Sequence, residues 1–451
     1  MTTIYPPRDL GPAHDPGVET LRAREDEPPT RRYQTLLLLA GFLMITHVIG
    51  INTSFGIFQD FYTSNDSNIP SARGNDAVVA LVGTLGSGLT WSGGIFVNPI
   101  MARVESLKLL TLLGATTMSL GLFLAGYSST LWQLFLTQSI LYGVGSSLYY
   151  FPIISTAPQY FDRHRGFAMG CILSGAGVGG LIMAPVLQVL LDKYGVRTAL
   201  RIIAGWNFAV GIPVAAIIRR RIPFEQERAS SSARTRLNMS LVKRGTFIYQ
   251  ALGALLQAAG NIIPLYYMTS YSSSVLAYPH STGSLLLAIN SGVNSLSRIA
   301  MGILADGVGR QNTLISGAFL SALAVFALWY DAARPRFLAF VVVYGIYAGG
   351  YNALMPTTIT EIYGVENYAR VNGAIYFVRG LGSLLGAPVA GVILGTHKRG
   401  GGAGMFEDSA LRSRFEKVVV YDGVLLLCAG LCVAYVRWLD ARDKGRWKWK
   451  A

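Results

Sequence analysis

Runs of about 20 apolar residues, nearly free of charge, recur from one end of this chain to the other. A helix needs about that length to cross a hydrocarbon layer of about 30 Å. The runs fall near 35–58, 78–102, 107–128, 131–153, 166–190, 199–219, 246–269, 283–304, 312–330, 337–359, 371–395 and 418–438. A soluble core hides scattered apolar residues, not repeated runs of this length. Only 14% of residues are charged and 51% are hydrophobic, where soluble domains carry roughly 25% charge. The expectation is an all-α integral membrane protein with twelve transmembrane helices. Runs two, five and eight are Gly-rich and run seven contains Pro264. A bilayer tolerates both residue types, because it enforces helicity and small residues let helices approach.

The net charge of +14 resides mainly in the connectors. With the N-terminus inside, cytoplasmic connectors hold Arg31, Arg32, Arg103, Lys108, Arg163, Arg165, Arg310 and Arg370, together with the connector from Arg219 to Arg244. The other connectors carry about half as many basic residues. This bias predicts that both termini are cytoplasmic, with the plasma membrane as the expected location. No basic stripe lies on a soluble or amphipathic element, so a nucleic-acid partner is not expected. Residues 1–33 are polar and Pro-rich and read as a disordered cytoplasmic tail, without a cleavable leader. Residues 439–451 form a basic tail whose Trp447 and Trp449 alternate with Lys448 and Lys450, a pattern suited to an anionic lipid surface. The sequon at Asn65 falls outside and is a glycosylation candidate, whereas those at Asn52 and Asn238 fall in a run and in the cytoplasm. Cys171, Cys428 and Cys432 all lie inside runs, which excludes a disulfide framework. No metal or cofactor is expected.

The Ser/Arg-rich segment 220–245 divides the chain into halves at 34–219 and 246–438. A shift of 203 residues lays Gly170, Gly177, Gly179, Ala184, Pro185 and Val186 over Gly373, Gly380, Gly382, Ala387, Pro388 and Val389. The same shift pairs Gly114-Ala115 with Gly317-Ala318. Two pseudo-symmetric six-helix bundles with a site between them near the midplane is the architecture that alternating access requires.

The end of run eight reads Gly302-Ile-Leu-Ala-Asp306-Gly-Val-Gly309-Arg310. It resembles the G-x-x-x-D-x-x-G-R motif of the major facilitator superfamily, where the carboxylate sits near a helix N-terminus and latches one conformation. The first-half equivalent, Asn98 to Arg103, lacks the acid. Run five opens with Tyr160-Phe-Asp-Arg163-His-Arg165-Gly-Phe-Ala168-Met-Gly170-Cys-Ile-Leu-Ser174-Gly175. This is similar to the [YF]-F-x-[KR]-R-x-x-A-x-G-x-A-x-[SA]-G motif of the monocarboxylate transporter-like family, with His164 where that family has a second basic residue. Ser54-Phe55-Gly56-Ile-Phe58-Gln59 and Asn372-Gly-Ala-Ile-Tyr376-Phe-Val-Arg379-Gly-Leu-Gly382-Ser resemble stretches of its fungal members. The resemblance spans nearly the whole chain from residue 34 and implies the twelve-helix fold of that superfamily. It implies roles in gating for Arg163, Arg165, Asp306 and Arg310.

Polar residues inside a membrane are functional candidates. Arg379 lies about 13 Å into run eleven at 1.5 Å per residue, and burying it there costs about 2.5–3.5 kcal/mol. It reads either as an anion clamp for a substrate carboxylate or as a bridge to another helix. Arg298 shares a helical face with Asn294 and Asn290. In monocarboxylate transporters an Asp commonly precedes the matching Arg by four residues and is implicated in proton coupling; here that place is taken by Asn294. No Asp or Glu is expected within the apolar cores, with Asp60, Glu361 and Asp422 at their ends. That leaves His47 as the core group suited to proton coupling, or a hydrogen-bonded packing residue.

Gln250, Gln257 and Asn261 form one stripe, Tyr344, Tyr347 and Tyr351 a second, and Tyr142, Ser146 and Tyr149 a third. In the superfamily these helices line the cavity. The candidate solute contacts are therefore Arg379, Tyr376, Asn261, Gln257, Tyr347, Tyr351 and Tyr149. Aromatic bodies with hydroxyl tips suit a bulky, partly apolar solute, although such stripes also serve packing. The expected function is secondary transport of a small organic solute. The missing core carboxylates and aromatic lining favour efflux of an organic anion or secondary metabolite over proton-coupled monocarboxylate uptake. A non-transporting sensor on the same scaffold is a further alternative. An enzyme is not expected, since no catalytic set or HExxH-type metal motif is present.

Overall fold

The computed structural model describes residues 30–101, 103–161, 165–219, 243–395 and 405–445; within these, nothing is stated for the side chains of 158–159, 165–167, 306, 365–370 and 405–409. The described residues are almost wholly helical. The first half contains α1 (Arg31–Thr53), α2 (Phe55–Thr63), α3 (Asp76–Ser92), α4 (Gly94–Met101), α5 (Leu107–Ala125), α6 (Leu131–Leu134), α7 (Tyr142–Thr156) and α8 (Arg165–Ile217). The second contains α9 (Gly245–Ser274), α10 (His280–Val308), α11 (Arg310–Ala324), α12 (Arg334–Leu394) and α13 (Met405–Asp443).

Among the described residues, nine stretches are long and apolar enough to cross a membrane. One of these, Ala168–Ile217, is 50 residues long, about 75 Å of helix, far more than a single crossing requires. It turns at Gly195, whose φ of 72° opposes any side chain with a Cβ. Both arms of α8 lie against α1: Ile172 packs on Gly41, and the Ile217 carbonyl accepts from the Tyr33 hydroxyl at 3.1 Å. The chain has therefore folded back on itself. Gly364, with φ 77°, bends α12 in the same way. Two further helical stretches fall outside the nine. Leu131–Thr156 passes through a π turn at Phe135–Leu141, and α10 carries Asn290, Asn294 and Arg298 on one face.

The outer surface shows what solvent the fold answers to. Leu296, Ile303 and Val392 are 72%, 71% and 71% exposed, while Gln59, Thr84 and Asn207 are fully enclosed. Water would reverse this arrangement; hydrocarbon favours it. The protein is a multi-pass, all-α membrane protein with pseudo-symmetric helix packing.

Two polar levels mark the ends of the bundle. At the terminal end, Tyr160 donates to the Arg219 carbonyl, and Gln311 donates to Glu361 and Asp440 at 3.1 Å each. At the distal end, Asp60 of α2 meets His280 Nδ1 at 2.5 Å and accepts from the Ser273 hydroxyl at 3.2 Å. Thr269 of α9 also donates to the Gly56 carbonyl at 2.9 Å. These contacts join the two halves.

Three sequence expectations move. The first helix begins at Arg31, inside the segment expected to be a tail, and the last continues to Asp443, past the expected boundary at 438. Helix α13 also starts at Met405 rather than near 418. Asp422 is thus well inside a helix and wholly buried, not at an end. Apolar windows find where hydropathy rises, whereas backbone hydrogen bonding carries helices on into polar flanks.

Candidate functional site

Arg379 stands on the second arm of α12, eight residues beyond Val371. Its Nη2 donates to Asn352 Oδ1 at 2.6 Å and its Nη1 to Met355 Sδ at 2.9 Å, both on the first arm. The guanidinium also lies 5.5 Å from the Tyr376 ring centre one turn earlier. Arg298 of α10 donates to Asn294 Oδ1 at 3.2 Å and to the Leu173 carbonyl of α8 at 3.1 Å. It is within electrostatic range of Arg379, Tyr376 and Tyr150. Among the described residues neither arginine has a carboxylate partner. Two cations meeting only neutral acceptors at membrane depth repel each other, and an anion between them would relieve that repulsion.

The first half supplies aromatic faces to the same place. Trp91 of α3 lies 6.1 Å from the Tyr376 ring and 5.7 Å from that of Tyr150 on α7. Tyr150, Trp91 and Tyr376 therefore form a chain of rings across the divide between the halves. The arrangement can hold an anionic group against two guanidinium forks and a ring or apolar body against Trp91.

The expected contacts divide. Arg379 and Tyr376 come together, with Tyr351 buried within electrostatic range of Arg379. Asn261 and Tyr347 are half-buried. Gln257 is buried within the second half, its Oε1 without a hydrogen-bond partner among the described residues. Tyr149 lies elsewhere: it packs 5.4 Å from the His47 ring, and its hydroxyl faces Gly211. His47 itself is enclosed, donating from Nδ1 to the Leu43 carbonyl at 2.6 Å. Asn294 and Arg298 join the site directly. Arg310 is exposed at the start of α11. Arg163 lies outside the described residues; Arg165 and Asp306 are on described backbone, but their side chains are not described. Asn65 is exposed in the turn after α2.

Trp91, Tyr150, Asn352 and Met355 were not foreseen. Tyr150 neighbours Tyr149 in sequence but points about 100° away around the helix. In the Tyr142, Ser146, Tyr149 stripe, Tyr142 donates to the Val48 carbonyl of α1 and lies within electrostatic range of Tyr266 in the second half.

A helical membrane protein with a cationic, aromatic site between two pseudo-symmetric halves has the layout of a secondary-active carrier working by alternating access. The chain belongs to the Major Facilitator Superfamily, whose family model matches residues 35–387 and 278–446. It is thus a transporter of small organic solutes rather than an enzyme. It is 29% identical to the MFS-type transporter pynF of Aspergillus niger over 80% of this chain and 81% of that one. It is 27% identical to the agnestins efflux protein AgnL12 of Paecilomyces divaricatus over 82% and 84%. In fold it is similar to a bacterial homologue of the human lysosomal transporter Spinster, solved inward-facing and unoccupied. The TM-score is 0.74 at 17% identity, covering 93% of this chain and 99% of that one.

Proposed function

We propose that this protein exports a bulky organic anion, of the secondary-metabolite class, through twelve crossings arranged as two six-helix bundles. Among the described residues, nine stretches qualify by length and composition. Counting the folded-back α8 as two, and adding Leu131–Thr156 and α10, gives twelve (9 + 1 + 2). The observation that carries the solute class is the pair Arg298 and Arg379, both without carboxylate partners among the described residues and both within range of Tyr376, whose ring in turn adjoins Trp91. A small monocarboxylate would use the guanidinium forks and leave the aromatic faces uncovered. An anion with a ring system uses both. The efflux role named for the Paecilomyces relative supports the export direction. The arginine-rich connectors support an orientation with both termini in the cytoplasm, and the plasma membrane is the host that export to the medium requires.

Proteoliposomes loaded with a panel of aromatic carboxylic acids test this reading. Net flux of at least one acid that falls in Arg379→Ala and Arg298→Ala supports it. Flux confined to short monocarboxylates would favour the uptake reading implied by the resemblance to monocarboxylate transporters. Binding without flux would identify a sensor.

A further inference from the structure

Helices α9 and α13 lie side by side towards the terminal end. A Cβ on Gly253 would lie 3.2 Å from Cys432 Cβ, and one on Gly245 would lie 3.3 Å from Leu439 Cδ1. Their outward faces carry the same order of residues towards that end. On α13, exposed Leu431 is followed by Tyr435, Trp438 and Arg442, at spacings of four, three and four that keep them on one stripe. On α9, read towards its start, exposed Leu252 is followed by Tyr249 and Ile248 and then by Arg244. Each face passes from apolar through aromatic to cationic within about 12–17 Å of helix.

The rings of the two faces are in mutual contact. Tyr249 and Tyr435 meet edge to face at 4.6 Å between ring centres, and Tyr435 and Trp438 stack at 5.4 Å. The Arg442 guanidinium lies 5.2 Å from the Trp438 ring centre. The same Arg442, with Arg244, Gly245, Thr246, Leu439 and Asp443, lines a cavity of about 490 Å³. Both arginines are exposed, and among the described residues neither pairs with a carboxylate. Lys444, by contrast, is engaged by Asp440 at 2.9 Å. The first amides of α9 also open here, because Arg244 at the N-cap position offers them no side-chain bond. Two guanidiniums against the Asp443 carboxylate leave the cavity lining with one net positive charge.

We propose that this cavity and the adjoining rings hold one monoanionic phospholipid of the terminal-side leaflet, with its phosphate between Arg244 and Arg442. The layers of the two helix faces match the layers of such a lipid. Its acyl chains meet Leu252 and Leu431. Its glycerol-ester level meets Tyr249, Tyr435 and Trp438, as aromatic rings do at a membrane interface. Its phosphodiester meets two guanidinium forks, whose planar donors match phosphate oxygens. The single net charge suits one phosphodiester, and Asp443 would repel the extra phosphates of a polyphosphorylated headgroup. A free phosphate would use the arginines but leave the ring column and the exposed leucines uncovered. Anionic lipids concentrate in the cytoplasmic leaflet, the side that the basic connectors favour for the terminal end. The bound lipid ties the start of α9 to the end of α13. The site is separate from Arg298 and Arg379, and it does not rest on the transport reading.

The test is native mass spectrometry of the full-length protein in detergent, titrated with phosphatidylglycerol, phosphatidylcholine and glycerol 3-phosphate. One phosphatidylglycerol should be retained in preference to phosphatidylcholine, and glycerol 3-phosphate at equal concentration should not displace it. Arg244→Ala and Arg442→Ala should each weaken retention about fivefold. Asp443→Asn should strengthen it, a gain that damage to folding could not produce. Equal retention of the two lipids, or phosphatidylglycerol retention unchanged in the Arg244→Ala, Arg442→Ala double variant, overturns the site. Retention lost instead in Lys448→Ala, Lys450→Ala, with both arginines intact, assigns the lipid to the tail and also overturns it. Displacement by glycerol 3-phosphate overturns the lipid as the occupant, because the rings would then contribute nothing.

Discussion

Gly177 meets the second half of the molecule in the way that Gly380 meets the first. A Cβ on Gly177 would run into the Ser295 side chain and come 2.5 Å from the Ser291 carbonyl oxygen. One on Gly380 would lie 2.8 Å from Ser92 Cβ and 2.9 Å from the Gly88 carbonyl oxygen. The shift of 203 residues that superimposes the two glycines also carries Gly88 to Ser291 and Ser92 to Ser295. The internal repeat is thus present in three dimensions as a pair of equivalent contacts across the divide. These contacts bind the halves only while both glycines lack a side chain.

Gly177→Ala and Gly380→Ala should therefore each loosen the interface. Overpacking a close contact costs about 1–3 kcal/mol. The two sites share no partner, so the double variant should lose roughly the sum. Thermal melting of the purified protein measures this; a double variant as stable as the parent would show that the halves are held elsewhere.

Arg379 carries the larger prediction for transport. Removing a charged hydrogen-bonding group from a substrate contact costs about 1.5–3 kcal/mol, roughly a tenfold to hundredfold loss of apparent affinity. Arg379→Lys should recover little of it, because an ammonium lacks the planar fork that matches a carboxylate. Asn352→Ala removes the 2.6 Å anchor of Nη2 and should weaken anion binding less than Arg379→Ala does. Concentration-dependent counterflow separates these three variants.

The distal pair Asp60 and His280 should be a modest latch. His280 is 58% exposed, so water screens the pair and its contribution is at most about 1 kcal/mol. Asp60→Asn should shift the balance of distal-closed and distal-open forms by about fivefold. Label distances across the gap report that population, and an unchanged distribution would show that the Asp60 charge does not hold the distal closure.

Asn65 should carry a glycan when the chain is made in a fungal secretory pathway. It is exposed, in a turn at the end of the bundle opposite the termini. Asn65→Gln should remove a mobility shift that glycosidase treatment also removes. Persistence of the shift in the variant would contradict the orientation drawn from the basic connectors.

Much of the candidate site was legible from isolated residues and little of it from stripes. Arg379 and Arg298 stand out because a guanidinium in an apolar run is costly anywhere except at a site. Tyr142, Ser146 and Tyr149 form a regular stripe, yet Tyr142 is bonded to the Val48 carbonyl and Tyr149 packs on His47. Helical periodicity shows that residues share a face and is silent on what the face meets. Asp422 was misplaced for a related reason. Hydropathy falls where polar residues begin, near 418, whereas the helix starts at Met405.

By itself the sequence determined the solvent, the helical class and the internal repeat. Each is a property of composition or spacing along the chain, and a bilayer leaves helices as the structure such runs can form. Only the tertiary structure decided that Trp91 and Tyr150 adjoin each other beside Tyr376 and within reach of the two arginines. It alone decided that Asp422 lies against Gly260. Those outcomes depend on which face of each helix meets which neighbour, and that is set by the packing of all the helices together.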